Sequence, residues 1–337
     1  MSNNSSHLQT DICLKKVRTG KDLILATKPF AVDDALTSWW VILSTVFLYL
    51  TAVVIVLRTV QLPIQLLFSV LTGLLIVRLF VINHDLQHQT LLPKSWLAGV
   101  VMRVMGIWLL SPTSIWKSSH NHHHKHNSRM RGSQIGSFPV MTKELFEASS
   151  RAVQRQYLLM RHPLTILFGY ISAFLLGMCL FPFVSKPREH FDCFIALAAH
   201  FAFGAFLICV FGWSTWMYAQ VFPCFIAYGL GAYLFYAQHN FPGVTFLDGQ
   251  GWTYEKAAME SSSYMKMGLV MAWFTGNIGY HHIHHLNAHI PFYRLPEVWR
   301  KVPELQRART TSLHPYDIIR CLRLKVWDAK AQKMVAL

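Results

Sequence analysis

Residues 62–88 read LPIQLLFSVLTGLLIVRLFVINHDLQH, an apolar run that passes directly into the box His84-Asp-Leu-Gln-His88. At about 1.5 Å per residue, Leu62–Ile82 is long enough to cross roughly 30 Å of hydrocarbon. Its one charge, Arg78, lies near the inner end, where a long side chain is expected to snorkel to the interface. The helix should continue past the membrane surface. His84 and His88, four residues apart, then share one face of it.

Working outward, two further clusters repeat this theme with a different spacing. His120-Asn-His-His123-His124 and His281-His-Ile-His284-His285 both read H-x-x-H-H, and a lone His239 sits in Gln238-His239-Asn240-Phe241. Each cluster can aim two or three imidazoles at one point. Most of the chain's 18 histidines are concentrated in this way, too strongly for satisfied core residues. The pattern reads as a metal site.

Composition fixes the setting. Of the 337 residues 53% are hydrophobic and 14% charged, with positive mean hydropathy, which soluble domains rarely match. An integral membrane protein is expected. The six cysteines are scattered without a C-x-x-C, which argues against a disulfide framework or an iron–sulfur site. The net charge of +15 suits basic cytosolic segments facing anionic headgroups better than nucleic acid. No signal peptide is expected, because residues 1–38 are polar and basic (Lys15, Lys16, Arg18, Lys21, Lys28) with no early apolar core.

The fold expected is all-α, with four transmembrane helices in two hairpins, re-entrant or interfacial helices, and a cytosolic helical cap around a histidine-rich two-metal site. Spans are placed at 39–57, 62–82, 194–211 and 215–237. The stretch 97–110 is too short to span and carries Arg103, so it is read as re-entrant or interfacial. A site shared by the second and third boxes requires an even number of crossings between them. The linker 185–190 is basic and 212–214 is uncharged, so the first is placed inside and the second outside. Residues 164–183 then dip in without crossing. The same count puts His239 at the inner end of the fourth span. Three segments follow: a basic cytosolic arm (1–38), a membrane unit (39–293) and a basic cytosolic tail (294–337). The glycine-rich stretch 241–280 is read as a lid over the site.

Nine imidazoles, His84, His88, His120, His123, His124, His239, His281, His284 and His285, exceed what one ion needs, since catalytic zinc takes three ligands and a water. Two ions sharing nine nitrogens would each stay open to another ligand. No histidine is followed by glutamate, so the zinc-protease H-E-x-x-H is missing, as is the E-x-x-H of soluble di-iron bundles. An open imidazole-rich pair of metals beside a membrane suits redox iron, with molecular oxygen as oxidant and a fatty-acyl chain as substrate. Asp85 is a candidate to orient a box histidine, or else a helix cap. His122, His126, His282 and His289 are assigned to positions behind the ligands or at the surface, and His200 to packing inside the third span.

The chain resembles the membrane fatty acid desaturases of the acyl-lipid branch, bacterial and cyanobacterial omega-6 or delta-12-like. The resemblance covers roughly residues 35–300. It rests on HDLQH (84–88), WKSSHNHHHKHN (116–127), FYAQHNF (235–241), WTYEKAAMESSSY (252–264) and FTGNIGYHHIHHLNAHIPFYRL (274–295). It implies that the boxes ligate two ferrous ions, with His239 matching the extra histidine that completes the set. It also implies that oxygen and two electrons remove two hydrogens from adjacent methylenes of a membrane glycerolipid acyl chain, giving a cis double bond. No H-P-G-G haem motif or flavin-binding G-x-G-x-x-G is present. Electrons are therefore expected from an external donor, a ferredoxin or a small cytochrome, drawn to the basic face. The setting expected is the cell membrane, with both termini and all boxes cytosolic.

Two other readings compete. A di-iron hydroxylase or alkane monooxygenase would use the same boxes, and only the sequence around the third box favours desaturation. A metal transporter would want polar residues along several spans, whereas these are almost purely apolar. Regioselectivity, the acyl carrier and the oligomeric state are not encoded in these motifs.

Overall fold

The structure, a computed structural model, describes residues 17–130, 135–247 and 249–337. It is mostly helical, and the helices that frame the histidine boxes include α1 (Gly20–Thr27), α2 (Ala35–Arg58), α3 (Leu62–Gln87), α4 (Trp96–Trp108), α5 (Thr113–His126), α6 (Phe191–Trp216) and α7 (Phe222–His239). A short helix, α8 (His281–Leu286), carries the third box.

α2 and α3 form the first hairpin. Asp34 caps α2 by accepting from the Leu36 N–H at 3.2 Å and the Thr37 hydroxyl at 2.6 Å, and Pro63 opens α3 at a position where its missing N–H costs nothing. Together α6 and α7 form the second hairpin. Gly212 interrupts the run Phe191–His239 with φ 85° and ψ 167°. Gln220 Nε2 donates to the His200 carbonyl at 2.9 Å. A straight helix would separate these residues by about 30 Å, so the chain reverses at Gly212.

Among the described residues three helical runs could cross a membrane by length and composition, Ala35–Arg58, Leu62–Gln87 and Phe191–His239, and the reversal divides the last into two arms. α4 and α5 meet at 92°, and Tyr170–Ser185 is a shorter apolar helix. Outward-facing side chains such as Leu43, Phe47, Val54, Phe201, Phe206 and Val210 are more than half exposed. An apolar belt of that extent implies a lipid surround. The chain is a membrane protein.

The two hairpins pack through α3 and α7. A Cβ at Gly73 would lie 2.9 Å from both the Pro223 carbonyl oxygen and Ile226 Cβ. Small residues at such crossings let helix backbones approach closely where lipid supplies no hydrophobic drive. The C-terminal ends of α3 and α7, which carry His84 and His239, are thereby brought side by side.

Three details differ from the sequence reading. Arg78 does not snorkel outward: it is 6% exposed. Its Nε donates to Thr45 Oγ1 at 3.1 Å, its Nη1 donates to the Trp273 carbonyl, and its guanidinium lies 4.0 Å over the Trp273 ring. The chain folding back at 273 supplies acceptors that the interface would otherwise have to provide. Residues 17–38, read as the end of an arm, are packed: Leu23 is 2% exposed and Arg18 Nη2 lies 2.7 Å from Glu304 Oε2. Residues 1–16 of that arm lie outside the described residues. The tail after 294 does not only lie on the surface: Leu295, Val298, Val302 and Leu305 are buried in the same core as the spans. Two small sheets add to the helices: Tyr264–Lys266 pairs in parallel with Thr310–Ser312, and Val326–Asp328 pairs antiparallel with Lys333–Val335.

Candidate metal centre

All nine histidines singled out from the sequence converge at one end of the helix bundle. They fall into two groups: His84, His88, His120, His124 and His284; and His123, His239, His281 and His285. Within each group one nitrogen per residue lies within 4.8 Å of all the others. The two H-x-x-H-H motifs are used in opposite senses. On α5, His120 and His124 enter the first group and His123 the second. On α8, His281 and His285 enter the second and His284 the first. Residues four apart share a helix face, and the one between them points to the neighbouring centre.

In the second group the Nε2 atoms form a closed ring of contacts: His123–His239 at 3.1 Å, His239–His281 at 2.9 Å, His281–His285 at 3.1 Å and His285–His123 at 3.3 Å. In the first, His84–His120 and His120–His124 are 3.0 Å apart and His124–His284 3.1 Å. Imidazole nitrogens bound to one ion at about 2.1 Å lie about 3.0 Å apart at right angles and about 3.4 Å apart in a tetrahedron. The observed spacings, 2.9–3.3 Å, match that range to within 0.1 Å.

Hydrogen bonding alone cannot account for the ring. His239 Nδ1–H donates to the Ser261 carbonyl at 3.0 Å, so a neutral His239 presents a bare Nε2. Four contacts would then share at most three protons. Similarly, His84 Nδ1–H donates to Asp85 Oδ1 at 3.0 Å, and the other Asp85 oxygen accepts from the Phe292 N–H at 2.8 Å. The expected orienting role of Asp85 is thus visible, and it leaves the His84 Nε2 lone pair facing its group. His88 Nε2 is buried with no partner at all. Converging lone pairs without protons call for a cation.

Electrostatics agree. Burial, reinforced by repulsion among the rings, holds His88, His120, His123, His124, His281, His284 and His285 well below the ordinary imidazole value of 6.5. They are neutral at physiological pH, the form that binds metal. Among the described residues neither group includes a cysteine or carboxylate. Such an all-imidazole set suits iron, zinc, copper or nickel.

The remaining histidines lie elsewhere. His282 is fully buried and ties to the Leu305 carbonyl at 3.0 Å. His126 stacks on His122 with ring centroids 3.9 Å apart, and His289 is exposed. His200 sits within α6, 2.5 Å from the Tyr170 hydroxyl. Sequence reasoning did not identify Trp116, which is 2% exposed and packs its ring on His84, His88 and His120. Its position four residues before His120 on the same helix was the available signal.

Fold and site together define a membrane-embedded helical protein with two adjoining histidine groups, each of which could hold a metal ion, at one end of its bundle. The sequence profile of one family, described as fatty acid desaturase, matches residues 61–316. A Bacillus subtilis protein named fatty acid desaturase is 29% identical over 270 residues, covering 80% of this chain and 76% of its own. A Picosynechococcus sn-1 oleoyl-lipid 12-desaturase is 26% identical, covering 73% of this chain and 75% of its own. A Nostoc sn-1 acyl-lipid omega-3 desaturase (ferredoxin) is 28% identical over 68% of this chain and 64% of its own. The chain belongs to the fatty acid desaturase family, and so to the oxidoreductases of lipid metabolism.

Proposed function

We propose that the protein is an oxygen-dependent acyl-lipid desaturase that introduces a cis double bond into a membrane glycerolipid acyl chain. The observation that carries this reading is the convergence of nine imidazoles into two adjoining groups with bare nitrogens facing inward. In it, His84, His88, His120, His124 and His284 hold one ferrous ion, and His123, His239, His281 and His285 hold the second. Held there, an iron pair would supply the oxidising power to remove two hydrogens from adjacent methylenes, with molecular oxygen, two electrons and two protons consumed and both oxygen atoms leaving as water.

The chain's own residues do the rest. Asp85 and the Ser261 carbonyl fix two ligand rings before any metal arrives, which lowers the cost of assembling the site. Trp116 and the buried box histidines keep bulk water from the reacting chain. The relatives named for oleoyl-lipid and acyl-lipid substrates support a chain presented on glycerolipid. Electrons come from an external donor, a ferredoxin or a small cytochrome, and the Nostoc relative's name supports the first. The basic linker 185–190 supports an orientation with the boxes and both termini on the cytosolic side of the cell membrane. Residues 39–293 form the membrane desaturase unit, and 1–38 and 294–337 are its basic flanks.

The test is expression in a host that lacks the activity. New cis-unsaturated acyl chains in extracted lipid, with two irons per purified chain, are expected. Hydroxy-acyl products, or purified protein that takes up no iron, would overturn the reading.

A further inference from the structure

We propose that the rings of Tyr264, Tyr280 and Trp299, flanked by Lys266 and Arg300, form the docking port for an acidic one-electron carrier protein and conduct its electrons to the second histidine group. The proposal rests on the desaturase reading, which needs electrons from outside the chain.

The second group is closed to direct contact with a docked protein, since His123, His281 and His285 are each at most 3% exposed. An electron must cross protein to reach a metal held there. Tyr280 offers a short way, because it is covalently joined to His281, one of the four donors of that group. Its ring stacks on Tyr264, with centroids 4.8 Å and planes 25° apart. Trp299 lies 5.6 Å from Tyr264 and 6.1 Å from Tyr280. All three rings are half-buried, so the cluster starts at the surface and ends at a ligand. Electronic coupling falls steeply across any gap, and packed rings leave none. A Cβ at Gly279 would overlap the Met265 carbonyl, so glycine lets the strand 264–266 lie this close to the third box. The Tyr264 N–H, donating to the Arg309 carbonyl at 2.8 Å, holds that strand in place.

The rim of the cluster is positive. Lys266 and Arg300 are exposed, and among the described residues neither has an ion-pair partner. Met265 is buried, so strand alternation puts Lys266 on the same side as Tyr264. Burial and the neighbouring Tyr264 push the Tyr280 phenol up to about 12, and the Arg300 charge opposes them, which sets Arg300 beside that ring. The nearby carboxylates are already engaged, Glu297 with Lys301 and Arg294, and Glu304 with Arg18. Aromatic rings open to solvent, with unpaired cations around them, suit a protein partner of opposite charge. Each docking moves one electron: the carrier leaves oxidised and the centre is reduced by one. Two dockings supply the two electrons consumed per double bond. The rings carry the electron by tunnelling and are not themselves oxidised.

The probe is a purified acidic ferredoxin, titrated onto full-length, metal-free protein in phosphatidylcholine nanodiscs. Saturable binding is expected. The double variant Lys266→Glu with Arg300→Glu should weaken it about tenfold at low salt, the worth of two reversed exposed charges, and the difference should shrink as salt is raised. Lys330→Glu, on the hairpin 326–335 that packs on Met141, should leave the affinity unchanged. In iron-loaded protein at saturating reduced ferredoxin, without oxygen, Trp299→Leu should slow oxidation of the ferredoxin severalfold. No saturable binding by the wild type, an unchanged affinity in the double variant, an equal loss in Lys330→Glu, or an unchanged oxidation rate in Trp299→Leu overturns the proposal. A double variant that loses only a preference for nanodiscs containing anionic lipid assigns the face to headgroups, and the proposal falls. Docking is read on metal-free protein and desaturation from lipid products, so failure of the port is distinct from failure of the desaturase reading.

Discussion

Asp85→Asn should separate the two metal-binding groups. Asp85 is 2% exposed, with one oxygen 3.0 Å from His84 Nδ1 and the other 2.8 Å from the Phe292 backbone nitrogen. An asparagine has one oxygen for these two donors, so its amide must face either His84 Nδ1–H or the Phe292 N–H. A buried donor left unpaired costs about 1–3 kcal/mol. For metal affinity, loss of a partner behind a ligand typically costs 10–100-fold, or about 1.4–2.7 kcal/mol. His84 is one of five donors in its group, so four remain, and the effect should lie nearer the tenfold end. His84 does not belong to the second group, which should keep its ion. The assay is iron per chain, measured anaerobically after equilibration with a graded chelator. The wild type should hold two irons where Asp85→Asn holds one, across about a tenfold window of chelator. A variant that holds both as tightly as the wild type, or that loses both together while remaining folded, would refute the reasoning.

Other predictions follow from the same geometry. His239→Ala leaves three donors in a group of four, so iron should fall to one per chain and product formation by on the order of 100-fold or more; lipid analysis beside iron content checks both. The seven imidazoles held well below 6.5 stay neutral in the folded protein while their unfolded counterparts take up protons below that value. The unfolded state then binds more protons, so stability falls as pH drops through 6.5 and is flat just above it. The thermal midpoint of metal-free protein between pH 8 and 5 reads this, and a rise toward acid would contradict it. Gly73→Val should force α3 from α7, because a Cβ there already meets backbone and side chain at 2.9 Å. Overpacking costs about 1–3 kcal/mol, and iron retention should drop, whereas Gly99→Ala, with nothing within 4 Å, should leave it unchanged. Raising ionic strength should weaken the apparent affinity for an acidic electron donor; no salt dependence would remove the basic face from that role.

Much of this protein is legible in its sequence because the governing signals are local. Apolar runs such as 62–82 state their environment outright, and the i, i+4 spacing of His84 and His88 fixes one face of one helix. The repeated H-x-x-H-H boxes could be selected as a set because histidines so clustered have little other use, whereas the lone His239 was added by its place at the end of a span and by the family resemblance. What the sequence could not contain is the sorting. Which ring of each box joins which group depends on the crossing of α3 with α7, set by the close approach at Gly73, and on the angle at which α5 and α8 meet them. The burial of Arg78 under Trp273 is likewise a contact between residues almost two hundred positions apart. The Phe292 N–H reaches Asp85 across 207 positions. Periodicity reports which face of a helix is apolar or ligand-bearing, but only packed helices decide what that face meets.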